Sequence, residues 1–182
     1  MMPQREPSTS ASDLVSLQER YAPASVCFGC GPANEAGLHV RSMPDPGGEQ
    51  DGALVAVWTP SPHHHAFANV LNGGICGAVL DCHANWAAAM AIMRAAGADA
   101  PPATVTADYE VRLLAPTPTD QALTLRAWPT AVDGRRASAV AHIETADGLV
   151  TARLSGHFVA VGDDHPAHDR WRPAGPPVDE RP

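Results

Sequence analysis

The stretch Leu71-Asn72-Gly73-Gly74-Ile75-Cys76-Gly77-Ala78-Val79-Leu80-Asp81 decides the fold. It opens a run over residues 73–96 with no proline, many alanines, and only Asp81 and Arg94 as full charges. Such a run predicts one helix of more than twenty residues, ended by Gly97 and the Pro101-Pro102 pair. Its surface is small or apolar nearly all round, so something must wrap it. A carboxylate inside an apolar helix is costly unless it is used, and Asp81 sits about two turns in. The glycine pair leaves backbone N–H groups open to close approach, with the positive end of the helix dipole behind them. Donors for a carbonyl oxygen and an acid or base together make half of an acyl-transfer site.

Outward from this helix the hydrophobic period becomes two. Residues 37–43 and 53–58 read as short strands around the turn at 44–48, and residues 63–71 as a connection. Downstream, residues 104–114, 122–128, 136–144 and 150–161 read as strands, with hairpin turns at Asp133-Gly134 and Asp147-Gly148. The order β-β-α-β-β-β-β predicts an α+β domain: a four-strand meander in an antiparallel sheet curled around the helix. Residues 1–24 are polar and read as a poorly ordered extension, with a short helix within 13–20. Residues 25–162 form the domain, and 163–182 read as a Pro-rich disordered tail.

Twelve basic against twenty acidic residues give a net charge of −8, and every basic residue is arginine. A negative chain without basic runs argues against nucleic acid and anionic membrane as partners. No run reaches about 18 consecutive apolar residues, so no transmembrane helix is expected. The polar first ten residues lack a signal-peptide core, and four cysteines without a leader read as reduced thiols in a cytoplasmic protein.

Asp81 and Asn85 lie four apart on one helix face, so Asn85 is a candidate to orient the carboxylate; the bland alternative pairs Asp81 with Arg94 or another arginine. The N–H of Gly74 is the candidate carbonyl donor, with Gly73 beside it and Ile75 as a second donor. Gly74 and Asp81 are seven residues apart, about 10.5 Å along a helix axis, too far to serve one carbon. The Asp acting on a carbonyl held by Gly74 is therefore expected from another subunit. Asn72 keeps a donor and an acceptor but cannot titrate, and is also a good helix cap. Arg135 and Arg136, the single adjacent arginine pair, are either a solvated turn or a clamp on phosphates.

With these residues in view, the chain resembles the hotdog-fold acyl-CoA thioesterases, in particular the phenylacetate-pathway-type thioesterase superfamily. The resemblance covers about residues 26–161. It rests on the element order, on Asn72-Gly73-Gly74 with Asp81, and on the leader Cys27-Phe28-Gly29-Cys30-Gly31 with Asn34 and Gly37-Leu38. The family's usual motif is His-Gly-Gly, so Asn72 is a departure that removes any titrating role at that position. The resemblance implies a hotdog fold, a homodimer or dimer of dimers, and hydrolysis of a CoA-linked or carrier-linked thioester without a cofactor. It implies Asp81 as general base or direct nucleophile, Thr106 as a holder of the attacking water, and His64 near the acyl group. An aromatic acyl pocket would draw on Phe67, Trp86 and Tyr109.

Cys27-x-x-Cys30 has half of a zinc-site spacing, and a second ligand pair would have to come from Cys82-His83 or from His63-His64-His65. The reading adopted is a buried loop at the dimer interface, with no metal. Two other classes stay open: a hotdog hydratase or lyase, whose motif is not found here, and a non-catalytic acyl-thioester binding protein, for which Asn72 is the argument.

Overall fold

In the computed structural model, which describes residues 15–171, helix α2 (Gly73–Ala96) runs through the molecule and an antiparallel sheet curls around it. This is the hotdog arrangement. The elements before α2 are helix α1 (Leu17–Tyr21), strands β1 (Met43–Pro44) and β2 (Leu54–Trp58), a single 3-10 turn (Pro62–His64), and a small hairpin of β3 (His65–Phe67) and β4 (Val70–Leu71). After it come β5 (Thr104–Leu113), β6 (Leu123–Asp133), β7 (Arg136–Glu144) and β8 (Val150–Ala160).

The helix begins at Asn72, whose side chain accepts from the Gly74 N–H at 2.8 Å, and ends at Gly97, at φ +61°. It packs closely because both sides are small. Ala84, Ala87 and Ala88 share one core cluster with Ala137, Ala139, Ala141, Ala152 and Ala160, with Leu123, Leu125, Ile143, Leu154 and Phe158 filling the gaps. The sheet strands alternate, sending these residues inward and Arg136, Ser138, His142, Arg153 and His157 outward. By length and composition α2 could cross a bilayer, but 72% of its most apolar window is buried by its own fold, which makes it a core helix.

Four expectations need correction. The sheet order is β1-β2-β6-β7-β8-β5, so the last four strands are not a meander. Strands β6, β7 and β8 are consecutive, but β5 joins the free edge of β8, because the Pro-rich connection at 114–122 carries the chain across to the side where β2 pairs with β6. Residues 37–43 are mostly not a strand. Leu38 and Val40 are buried, yet their N–H groups bond to the carbonyls of Phe28 and Gly29, so this segment pairs with the cysteine loop. The connection at 63–71 holds the β3–β4 hairpin.

The fourth correction concerns the ends. Packing extends beyond 25–162 on both sides. Helix α1 carries a capping box between Ser16 and Glu19 and buries Leu17 and Gln18. Trp171, placed by sequence in the disordered tail, is 5% exposed and stacks on Trp86 with ring centres 4.3 Å apart. An indole buries more apolar area than the surrounding polar residues cost, so one tryptophan anchors the segment. Residues 1–14 and 172–182 lie outside the described residues.

One buried polar chain joins four segments. The Gln18 amide donates to Ser42 Oγ at 2.9 Å, and Ser42 Oγ meets His83 Nδ1 at 2.8 Å. His83 Nε2 meets the Leu54 carbonyl at 3.2 Å. A carbonyl can only accept, so Nε2 carries the proton and Nδ1 accepts from Ser42, which assigns a neutral imidazole. Burial pushes His83 down to about 4, against the bonds to the Leu54 and Leu125 carbonyls, which raise it. The unfolded chain therefore binds more protons between that value and the ordinary 6.5, and stability falls as pH drops through this window. The expected loss from this group is about 2 kcal/mol between pH 7 and 5, read as a falling urea midpoint. A His83→Gln variant should show a flatter decline, and equal slopes would remove His83 as the cause.

Candidate functional site

Asp81 projects from the middle of α2 toward β5, where the Thr106 hydroxyl donates to its Oδ1 at 2.8 Å. The pairing of β5 with β8 shifts register between Thr106 and Asp108, a bulge that aims Thr106 inward. Burial holds the Asp81 carboxyl above the ordinary carboxylate value, against the Thr106 hydrogen bond, which pulls it down. Charge on Cys27 adds to the rise and Arg170 opposes it. These groups border a cavity of about 80 Å³, lined by Cys27, Cys30, Asp81, Cys82, Asn85, Trp86, Thr106 and Arg170. A partly buried carboxylate, raised and held by one hydroxyl, is chemically suited to take a proton from water.

Asn85 lines the same cavity but does not bond to Asp81. Its side-chain oxygen accepts from Thr104 at 2.6 Å, one strand position pair before Thr106. The expected orienting bond is thus replaced by a helix-to-strand tie, because the buried Thr104 hydroxyl needs an acceptor. Arg94 lies at the other end of the helix, with its guanidinium against Gly52, and the arginine that borders the Asp81 cavity is Arg170.

At the helix start, Gly74 and Asn72 are exposed and Gly73 lies against Leu113. The Gly74 N–H is occupied by the Asn72 oxygen, and the Ile75 N–H is held by the Asn72 carbonyl at 3.0 Å. Ile75 is therefore corrected as a second donor: its N–H closes the first helical turn. Gly74 keeps the donor geometry, but a carbonyl must displace Asn72 to reach it.

An apolar groove of about 410 Å³ opens beside this helix start, lined by Phe67, Val70, Leu71, Gly73, Cys76, Leu113 and Leu114 among others. Phe67, Leu113 and Leu114 are exposed. Phe67 thus belongs to a groove, but the other expected aromatics do not join it. Trp86 is in the core against Trp171, and Tyr109 reaches toward Gly77. His64 is corrected too. Its ring stacks on Trp58 at 5.5 Å and accepts from the Ser61 N–H at 3.0 Å, closing the 3-10 turn. Arg135 is drawn away from any phosphate role. Its Nε and a terminal N–H both donate to the Ala160 carbonyl, at 2.9 and 2.7 Å, pinning the β6–β7 turn to the end of β8. Arg136 is exposed beside Asp108, Asp133 and His157. A separate cleft of about 410 Å³ on the outer sheet face is lined by Arg112, Trp128, His142, Arg153 and others.

Of the two partners the sequence offered the Cys27-Cys30 pair, Cys82-His83 and the histidine run, the structure brings Cys82 alone to the loop. Cys27 Sγ lies 3.7 Å from Cys82 Sγ, and His83 points the other way, into the Ser42 network. The adjacent Cys82-His83 pair was visible, but which of the two would turn toward the loop depends on helix phase against a loop not yet placed.

No family model and no curated protein matches this sequence. Solved structures do. A thioesterase superfamily protein is 27% identical with a TM-score of 0.56, covering 72% of this chain and 61% of its own. The chain therefore spans less than two thirds of that protein's length. A thioesterase superfamily protein from Shewanella loihica PV-4 is 24% identical with a TM-score of 0.56, over 72% of this chain and 98% of its own. The PaaI protein of the E. coli phenylacetic acid degradation operon is 15% identical with a TM-score of 0.54, over 69% and 81%. The shared feature is the hotdog fold.

Proposed function

We propose that this chain, a hotdog protein similar in fold to thioesterase superfamily members, hydrolyses the thioester of an acyl-CoA or acyl-carrier substrate. The observation that carries this reading is the Asp81 carboxylate, alone on an apolar helix and held by Thr106 at the wall of a small cavity. Asp81 takes a proton from water as the water oxygen bonds to the acyl carbon. The C–S bond then breaks, and the thiolate leaves to collect a proton. In the alternative form Asp81 attacks directly and water cleaves the resulting anhydride. The apolar groove at the helix start, with Phe67, Leu113 and Leu114, suits the acyl group.

Gly74 polarises the carbonyl once the Asn72 side chain gives way. Because Asn72 is exposed, its displacement costs little beyond one cap bond. Gly74 and Asp81 are about 10.5 Å apart along one helix, so the productive pair comes from two copies of the chain. A homodimer is supported by the edge of β5, which no strand among the described residues pairs, and by Tyr109, Leu113 and Leu114 exposed along or just beyond it. The capped Gly74 N–H is also the observation that favours a second reading, tight acyl-thioester binding without turnover.

Free-thiol release over a panel of acyl-CoAs tests the choice: turnover of any member supports hydrolysis, and binding with no release supports the second reading. On the best substrate, Asp81→Asn should lower the rate by roughly 10²-fold with the fold intact, as expected for a lost general base. Wild-type turnover in that variant would make Asp81 structural.

Asn72→Ala separates the two roles of that residue. Losing the cap should cost about 1 kcal/mol of stability, while the freed Gly74 donor should raise the rate of thiol release. A rate unchanged from wild type would take Gly74 out of the mechanism.

Mixing Asp81→Asn subunits with subunits carrying a bulky residue at Gly74 should restore part of the activity, since a mixed dimer contains one intact pair. Proven exchange with no recovery would place the site within one subunit.

A further inference from the structure

We infer that Cys27, Cys30 and Cys82 form a thiolate site for a zinc ion, joining the leader loop to helix α2 beside Asp81. The three sulfurs lie within 4.8 Å of one another. A zinc ion with Zn–S bonds of about 2.3 Å spaces its thiolates by roughly 3.8 Å, and Cys27 and Cys82 already stand 3.7 Å apart. The set therefore needs little movement to close on an ion.

The surroundings are built for sulfur carrying negative charge. The Gly31 N–H donates to the Cys27 carbonyl at 2.8 Å, folding Cys27-x-x-Cys30 into a tight turn. Within it the N–H groups of Cys30 and Gly29 face Cys27 Sγ. Residue 29 must be glycine for the loop to lie this close, since a Cβ there would collide with Cys82 Sγ. The Trp86 indole N–H is buried and finds no hydrogen-bond partner among the described residues, yet it is turned toward Cys30. A buried donor left unpaired costs free energy. A metal-held Cys30 thiolate would satisfy it, as the outer-shell donor of such sites usually does.

Thiolate ligands select zinc and other soft ions over magnesium or calcium. Three protein sulfurs leave a fourth tetrahedral position, and the cavity of about 80 Å³ has room for a water there. A divalent ion with three thiolates keeps one net negative charge, and Arg170 lines the same cavity. The ion would fix the leader loop against α2 at the residue next to Asp81, so it would set the wall on which the carboxylate stands. Cys76, the fourth thiol, is elsewhere, beside Thr117 at 3.8 Å.

The test uses the full chain, reduced and stripped of metal, titrated with cobalt(II) and then zinc. One cobalt per chain should bind, with sulfur-to-cobalt charge-transfer absorption that zinc abolishes. Alkylation mapped by mass spectrometry should find Cys27, Cys30 and Cys82 protected by zinc, with no variant required. Cys82→Ser should lose the absorption, Cys76→Ser should keep it, and Trp86→Phe should weaken zinc affinity about tenfold or more. A folded wild-type chain with no such absorption would overturn the site, as would absorption unchanged in Cys82→Ser. A Cys27–Cys82 disulfide with no ion uptake after reduction would overturn it too, and assign the sulfurs to redox chemistry. None of these readouts uses turnover, so the site and the hydrolase reading stand or fall separately.

Discussion

Close contact between an alanine-rich helix and an alanine-rich sheet is the constraint on which this molecule depends. Small side chains on both surfaces let the sheet lie near the helix axis, and the sheet must then curl to follow it. The larger residues, Leu123, Leu125, Ile143, Leu154 and Phe158, fill the space left where the curved sheet diverges. A longer side chain at a facing alanine would have nowhere to go, and overpacking of this kind typically costs about 1–3 kcal/mol.

The candidate site is a consequence of that packing. A helix wrapped nearly all round has few places where a polar side chain can reach space, and Asp81 uses one of them. There the edge strand β5 bulges, and Thr106 supplies a hydroxyl instead of an apolar contact. The same gap is closed from outside by two segments far apart in sequence: the Cys27–Cys30 turn and the stretch that carries Arg170 and Trp171. Segments that lie outside the helix and the sheet thus form the wall of the cavity.

Asn72 shows how one substitution within a motif changes a local problem. A side-chain oxygen on the residue before two glycines folds back on the second glycine's N–H, which stabilises the helix start and covers the donor at once. Stability and carbonyl polarisation compete for a single hydrogen. This competition is set by geometry within three residues and needs no long-range contact.

The sequence by itself determined the helix, its capped start and glycine end, the strands β2, β7 and β8 to within a residue or two, and the position of Asp81 as the one carboxylate inside the helix. Each of these rests on local periodicity, capping chemistry or the cost of a charge in an apolar run. Only the tertiary structure decided the position of β5, the pairing of residues 38 and 40 with the cysteine loop, the burial of Trp171, and the meeting of Cys82 with Cys27 and Cys30. Alternation reports that a residue is buried, not what covers it. A strand joins whichever edge its connection can reach, and a helix phase of 100° per residue decides whether Cys82 or His83 faces the loop. Those outcomes depend on contacts between segments up to about ninety residues apart, which no window along the chain contains.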